Sequence, residues 1–268
     1  MKQINAGELK RYMDTHHESD YLLIDVRQAF EYTQQHIPGA SLQPLPELEP
    51  KIFSLPEDRD LLFYCHSGGR SQAAAFLASE AEVTEKNVYN LTGGILAWQG
   101  KTLSDFPRIH LFETAETLSD VLMTAMNLEK GAFRFYRHVV EKFPELPIAS
   151  VMKTLSKAET AHAQMVYGFL KQEVEQPEAF ETIWDKLAGD IIEGGESLEA
   201  ALLRLNAPGD NLCLNLIDLA LHIEYSAFDL YRTLSGRSAD DTAGKTFLTI
   251  AQAEKSHMKR LTGAISKC

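Results

Sequence analysis

The chain is short of positive charge and of cysteine, and both shortages narrow what it can be. Across 268 residues, 26 lysines and arginines stand against 38 aspartates and glutamates, a formal net charge of -12. No Lys/Arg cluster offsets that balance, so the basic footprint of a nucleic-acid binder is missing and no nucleic-acid partner is expected. An acidic surface serves solubility first, and its functional side is attraction of cations such as ferrous iron. The 3 cysteines, Cys65, Cys213 and Cys268, are odd in number and far apart. They do not read as a disulfide framework, so a reducing compartment, most simply the cytoplasm, is expected. Cys213 reads as a packed bundle residue and Cys268 as a mobile terminal thiol. No apolar run approaches the roughly 18 residues of a membrane helix. The N-terminal MKQINAGELKRYM is amphipathic and lacks the apolar core of a signal peptide, so no membrane partner is expected. Cys-x-x-Cys and low-complexity segments are also missing.

What is present divides the chain near Phe106-Pro107, and two domains are expected, 1–106 and 107–268. In the first, Tyr21 to Val26, Asp60 to Tyr64 and Asn87 to Leu91 are short apolar runs of the kind that form buried parallel strands. The alanine-rich Ser71 to Ala78 lies between the last two and favours helix. Strand, helix, strand at this spacing predicts an α/β parallel sheet with flanking helices. From Glu113 onward the apolar period becomes helical, and four long helices are expected to form a bundle. Short turns near Phe143-Pro144 and Ser235-Gly236 predict two antiparallel hairpins. A long crossover from 174 to about 209, with helical character at Ala179 to Leu187 and Ser197 to Leu205, joins them.

The bundle carries a repeated charge pattern. Glu129 stands as far before Glu159 as Glu224 stands before Glu254. Glu159 opens Glu159-Thr160-Ala161-His162, and Glu254 opens Glu254-Lys255-Ser256-His257. The same offset carries Ala132 onto Ala227, Phe133 onto Phe228, Tyr136 onto Tyr231 and Arg137 onto Arg232. In all four helices the Glu or His falls inside the apolar stripe, where a charge is costly unless it is paired or ligates a metal. A Glu from each of two helices and Glu-x-x-His from each of two others is how a four-helix bundle holds two metal ions. Such oxygen and imidazole donors suit iron or manganese, with iron favoured for oxidative work. Tyr136 and Tyr231 read either as core aromatics or as hydrogen-bond partners of a ligating carboxylate. His222 is out of phase with the Glu224 face and reads as non-ligating, and His16-His17 reads as a solvated helix end.

In the first domain, Cys65-His66-Ser67-Gly68-Gly69-Arg70-Ser71 leaves an expected strand and opens an expected helix. Glycines let the backbone wrap so that its N–H groups point inward, and the helix start adds partial positive charge. Both favour thiolate at Cys65. Arg70 adds a fixed charge suited to a bidentate oxyanion such as thiosulfate.

This stretch resembles the rhodanese family. Asp25-Val26-Arg27, Glu31-Tyr32 and His36-Ile37-Pro38-Gly39-Ala40 are similar to its N-terminal signature, and Leu91-Thr92-Gly93-Gly94-Ile95-Leu96-Ala97-Trp98 to its C-terminal one. The loop from Cys65 to Arg70 has the length that in this family goes with sulfur transfer. The resemblance implies that Cys65, with Arg70, accepts a sulfane sulfur as a persulfide. It implies a substrate-binding loop of His66, Ser67, Gly68, Gly69 and Ser71, with Arg27 at the rim as a further substrate contact. Asp25 is expected to be structural near the site, and His36 a structural loop residue. Residues 113 to 266 resemble the ferritin-like di-iron superfamily, most of all its rubrerythrin branch. That implies six ligands: Glu129, Glu159, His162, Glu224, Glu254 and His257. Two features depart from the branch. Leu221 and Ala227 stand where many rubrerythrins have a further glutamate near the third-helix ligand, and the four-cysteine iron centre that serves as internal electron donor is missing.

The expected protein is therefore a rhodanese-type sulfurtransferase with a small sulfur donor and a thiol or cyanide acceptor. Its Cys65 persulfide is coupled to a carboxylate-bridged di-iron site, with manganese or a mixed pair as alternatives, that reacts with O₂ or peroxide using an external electron donor. One refinement makes the persulfide itself the source of those electrons. An alternative joins sulfur delivery to a non-catalytic iron-binding or iron-buffering bundle, and a third possibility is a metal-free bundle for dimerisation. A homodimer is expected, as ferritin-like bundles often pair.

Overall fold

The computed structural model describes residues 1–112, 115–205, 211–238 and 241–268; Glu113, from which the helical period is read, lies outside them. The chain divides into two compact units: Met1–Phe106 with Tyr231–Gln252, and Pro107–Leu230 with Ala253–Cys268. The first unit thus holds, besides residues 1–106, the tip of the last helical hairpin, which the sequence reading assigned to the bundle.

Apolar strands of the first unit build one parallel sheet. Its elements are β1 (Lys2–Ile4), α1 (Ala6–Thr15), β2 (Tyr21–Asp25), α2 (Ala29–Gln34), β3 (Ser41–Leu42), α3 (Leu45–Leu48), β4 (Asp60–Tyr64), α4 (Gly69–Glu80), β5 (Val88–Leu91) and α5 (Gly94–Ala97). The strand order is β1-β5-β4-β2-β3, every pairing parallel, with Tyr21–Asp25 in register with Asp60–Tyr64. The middle strand β4 is buried along its whole length, as its uninterrupted apolar run requires. One core cluster, around Ile24, Phe63 and Ala74, and another, around Leu9, Leu23 and Tyr64, hold the apolar side chains of β2 and β4. β1 and β3 are too short to leave an apolar run, and sequence reading missed both.

The hairpin tip is tied into this unit by a buried ion pair. Arg232 Nε lies 3.2 Å from Glu18 Oε2. Its Nη1 donates to the Glu18 carbonyl at 2.6 Å, and the Glu18 amide donates to Gln252 Oε1 at 3.1 Å. Tyr21 Oη donates to Glu18 Oε1 at 2.7 Å. Arg137, the counterpart of Arg232 in the sequence repeat, instead makes an exposed pair with Glu141. The two arginines should therefore differ sharply. Arg232→Ala leaves a buried Glu18 uncompensated and is expected to cost about 3–5 kcal/mol, whereas Arg137→Ala is expected to cost no more than about 0.5 kcal/mol. Urea unfolding of both variants checks this; equal losses would show that the buried pair contributes little.

In the second unit, α6 (Leu118–Lys142) and α7 (Ala149–Glu173) pack along their lengths. Thr117 caps α6 through a reciprocal pair with Asp120. The crossover forms two short helices, α8 (Phe180–Lys186) and α9 (Leu198–Arg204), within the segments of helical character read from the sequence. The last helices are α10 (Leu212–Arg237) and α11 (Asp241–Ala264). Their apolar stripes close on a core that includes Phe135, Val139, Met152, Leu155, Ile192, Leu216 and Leu261. Among the described residues, no helix is long and apolar enough to cross a membrane.

One expectation about the cysteines is overturned. Cys213 and Cys268 are not separate thiols but form a disulfide, with Cα atoms 5.5 Å apart. The chain's last turn returns to the start of α10, a closure that a count of three cysteines could not show.

Candidate active site and metal centre

β4 ends one residue before Cys65, so the loop sits at the C-terminal edge of a parallel sheet, where α/β folds gather their ligands. Gly68 then starts α4 from a left-handed conformation, φ +102°. This turn directs donors at sulfur: Gly68 N–H lies 3.1 Å and the Ser71 hydroxyl 3.4 Å from Cys65 Sγ. Cys65 is only 1% exposed. Burial alone would push its thiol up, but the Ser71 hydroxyl and the amides of Ser71, Gly68 and Ser67 outweigh it and hold the pKa below the ordinary value. His66, Ser67 and Gly69 are exposed and form the mouth of the loop. The second glycine pair seals its base. Ile95 N–H donates to the Cys65 carbonyl at 2.8 Å and Leu96 N–H to that of His66 at 3.1 Å. A Cβ on Gly94 would fall 2.4 Å from the Cys65 carbonyl oxygen, at φ +57°, so only glycine lets the two turns meet.

The charged residues around the loop have specific partners. Both Nη groups of Arg70 donate to Glu31, each at 2.7 Å, which pulls the Glu31 pKa down to about 2. Sequence reading gave Arg70 to an oxyanion and did not identify Glu31 as its partner. Arg27 requires a correction. It is 2% exposed, with Nε and Nη2 on the Asp25 carboxylate and Nη2 also on the Gln35 carbonyl. Its donors are committed inside the fold, so it is no rim contact for substrate; the Asp25–Arg27 pair braces the chain after β2. His36 is buried, stacked on Tyr32 with ring centroids 3.9 Å apart.

In the second unit the helices bring together the two Glu-x-x-His turns. Glu129 on α6, Glu159 and His162 on α7, Glu224 on α10, and Glu254 and His257 on α11 are all buried. His162 Nδ1 lies 3.3 Å from Glu129 Oε2, 3.3 Å from Glu159 Oε2 and 3.2 Å from Glu254 Oε1. His257 Nδ1 lies 2.9 Å from Glu224 Oε2, 3.0 Å from Glu254 Oε2 and 3.8 Å from Glu159 Oε1. Glu159 and Glu254 therefore each face both imidazoles, whose rings stack 5.2 Å apart. Two sets of potential ligands, Glu129–Glu159–His162 and Glu159–Glu254–His257, share Glu159.

A cage of four carboxylates is electrostatically strained without cations. Burial pushes Glu159 up to about 8 and Glu224 well above the carboxylate range. Burial alone would lower both imidazoles, but the carboxylates outweigh it: Glu254 chiefly for His162, and Glu254 with Glu224 for His257, which is pushed up to about 11. These shifts have one cause, carboxylates and imidazoles packed together in a desolvated core. The residues fit a metal pair on a further ground. Both oxygens of Glu159, Nδ1 of His162 and Oε1 of Glu254 are buried, and they meet only ion-pair contacts within the cage, none with the geometry of a hydrogen bond. Such atoms are costly unless a ligand satisfies them. Tyr136, fully buried, donates to Glu224 Oε1 at 2.5 Å and fixes that carboxylate. Its repeat counterpart Tyr231 is buried in the first unit, with its ring stacked on Phe247. His222 is exposed.

Sequence reading missed Glu193, which is 2% exposed in the crossover. The one available signal was its setting, Ile191-Ile192-Glu193-Gly194-Gly195, where an apolar pair precedes a glycine turn.

Comparison with known proteins finds two families in the chain. The rhodanese-like domain family matches residues 5–101, and the rubrerythrin family matches residues 120–199. A sulfurtransferase of Allochromatium vinosum is 40% identical over 100 residues, covering 37% of this chain and 88% of that protein. A putative sulfurtransferase of Bacillus subtilis is 31% identical over 102 residues, 38% of this chain and 94% of that one. A rhodanese-like domain protein of Staphylococcus aureus, 24% identical, aligns over 39% of this chain and 99% of its own with a TM-score of 0.35. The rubrerythrin match includes Glu129, Glu159 and His162; Glu224, Glu254 and His257 lie beyond it and are brought to them by the fold alone. The chain belongs to the rhodanese-like family, and it carries a rubrerythrin domain behind that module in the same polypeptide.

Proposed function

We propose that the protein is a sulfurtransferase acting through a Cys65 persulfide, joined to a di-iron centre that reacts with O₂ or peroxide. The observation that carries the first half is a buried sulfur on which amide and hydroxyl donors converge, at the edge of a parallel sheet. In the transfer step the Cys65 thiolate attacks the sulfane sulfur of thiosulfate or a similar donor. The new S–S bond forms as the old one breaks, and sulfite leaves with the electron pair. An acceptor thiol or cyanide then attacks the terminal sulfur, and the Cys65 thiolate leaves. The donors on Sγ stabilise the anion at each stage, which is the electrostatic work the loop performs. The Arg70–Glu31 clamp shapes the mouth, and Arg70 meets the anionic donor by exchanging part of its bond to Glu31.

In the bundle, Glu129, Glu159, His162, Glu224, Glu254 and His257 hold the metal. Two iron ions, when bound, supply redox chemistry toward O₂ or peroxide; manganese or a mixed pair suits the same donors. The buried stripe excludes water, Tyr136 orients Glu224, and an external reductant supplies electrons. A homodimer completes the reading. In a second reading the bundle stores or buffers iron beside a sulfur-delivery module. Iron loading under anaerobic conditions tests the site, with about two irons per parent chain and loss in a Glu129→Ala, Glu224→Ala double variant. Repeated peroxide consumption with a thiol reductant then supports the enzyme, whereas a single oxidation followed by iron retention supports storage. No iron on the parent chain would end both readings.

A further inference from the structure

An anion that reaches Cys65 finds the obvious donors already engaged. Arg70 is the cation of the loop, and both of its Nη groups donate to Glu31, each at 2.7 Å. Such a bidentate pair occupies the end-on fork that an oxyanion would use. Arg27 is turned inward, onto Asp25 and the Gln35 carbonyl. The loop's own donors are aimed at sulfur: Gly68 N–H and the Ser71 hydroxyl both meet Cys65 Sγ. They serve the nucleophile and not the remainder of an incoming molecule.

Glu31 also sets a negative charge at the same spot. It is half-buried, and Arg70 chiefly holds its pKa down to about 2, so it stays ionised at neutral pH. Thiosulfate carries two negative charges, spread largely over its sulfonate oxygens. To use Arg70 it must displace Glu31 or lie beside it, and either course is opposed by like charge. The apolar surface beside the loop favours a different donor. Phe30, next to Glu31 in α2, is 65% exposed, and Leu96, whose N–H donates to the His66 carbonyl, is 64% exposed. Two large apolar side chains thus adjoin the catalytic turn, one beside its ion pair and one on its backbone. They offer contact to carbon and none to a sulfonate.

We propose that Glu31 is a specificity-determining residue, which turns the Cys65 site away from dianionic donors and toward organic persulfides, R–S–SH, whose carbon group rests on Phe30 and Leu96. The inference rests on the sulfurtransferase reading above and names its donor. In the step, the Cys65 thiolate attacks the outer sulfur of the protonated persulfide. The new S–S bond forms at Cys65 as the S–S bond of the donor breaks. R–S⁻ leaves with the electron pair, and the proton stays on the transferred sulfur. This donor brings no oxyanion, so Arg70 keeps its bond to Glu31. Thiosulfate remains a donor but a slower one, because a repulsive element sets the preference.

The test uses the full chain and two donors, thiosulfate and benzyl hydropersulfide. Sulfur loading on Cys65 is followed by rapid quench and intact-mass spectrometry without an acceptor, which gives a rate for each donor and hence a donor ratio. The donors differ in intrinsic reactivity, so the change of ratio between variants carries the test. Glu31→Gln keeps a hydrogen bond to Arg70 without the charge, and its ratio should move at least about tenfold toward thiosulfate. Glu31→Asp keeps the charge and should stay near the parent ratio. Phe30→Ser, at an exposed position, should move the ratio about threefold toward thiosulfate by slowing the persulfide. Thermal melting of each variant verifies folding. An unchanged ratio in Glu31→Gln, or a thiosulfate rate that falls there, would overturn the inference: Glu31 would then only brace Arg70, and Cys65 would still carry sulfur. No sulfur on Cys65 of the parent from either donor would overturn the sulfurtransferase reading as well.

Discussion

Cys65→Ser is expected to lower thiosulfate-to-cyanide sulfur transfer by roughly four orders of magnitude, the scale of loss when a covalent nucleophile is removed. Serine is close in size and Cys65 is buried, so the fold and the Gly68 and Ser71 donors should remain. Mass spectrometry after exposure to thiosulfate should find one added sulfur on the parent and none on the variant. The pH profile gives a second reading of the same chemistry. The loop holds the Cys65 pKa below the ordinary thiol value. Because the thiolate is the reactive form, the rate should rise with pH and level off below about 8.5, where a free thiol would only be half ionised. Ser71→Ala removes the largest of the favourable contributions and should move that plateau to higher pH. A parent that keeps gaining rate well above pH 9, as an ordinary thiol of about that pKa would, contradicts a loop that stabilises the thiolate. A Cys65→Ser protein that still takes up sulfur would place the nucleophile elsewhere, on Cys213 or Cys268, both held in a disulfide here.

How much of this was legible in the sequence depended on whether the signal was local. The Cys65 loop was readable because strand, glycine turn and helix start are consecutive, and each has a composition rule of its own. The metal ligands were readable because a helix repeats its face every three to four residues, so a glutamate inside an apolar stripe stands out. Contacts that join distant segments were not readable. Arg137 and Arg232 occupy equivalent places in the repeat, yet one is solvated and the other is buried on Glu18. Only the packing of the hairpin tip decides between them. Arg27 looked like a rim cation because nothing in the sequence shows that Asp25, two residues away, folds back onto it. Glu31, Glu193 and the Cys213–Cys268 bond were hidden for the same reason: each depends on where a loop or a chain end returns.

Glu159→Gln should nearly abolish metal binding and should also stabilise the metal-free protein, and the two effects have one cause. Glu159 belongs to both ligand sets, and neither of its oxygens has a hydrogen-bond partner. Removing a ligand common to both sets should weaken binding by more than the ten- to a hundredfold typical of a residue that only supports a ligand. The stability effect follows from burial. Glu159 titrates near 8 in the folded protein, because desolvation opposes its charge, against about 4.3 in an unfolded chain. A raised carboxyl pKa means that the folded state retains a proton the unfolded state has released. Its contribution is complete below about pH 4.3 and is lost as pH rises toward 8. The raised His257 pKa, about 11, acts in the same direction at higher pH, since protonated imidazole offsets the carboxylates. The metal-free parent should therefore melt lower at pH 8 than at pH 6. Glu159→Gln, which cannot ionise, should lose much of that slope, about 2 kcal/mol between pH 6 and pH 8. Metal reverses the trend. Two cations must displace the protons held in the cage, so affinity and the melting rise on metal addition should both increase from pH 6 to pH 8. Melting curves of parent and variant at the two pH values, with and without Co²⁺, separate these effects. A parent whose metal-free stability is flat over that range would show that the cage carries no such protons. A variant that keeps the metal-dependent rise would remove Glu159 from the ligand set.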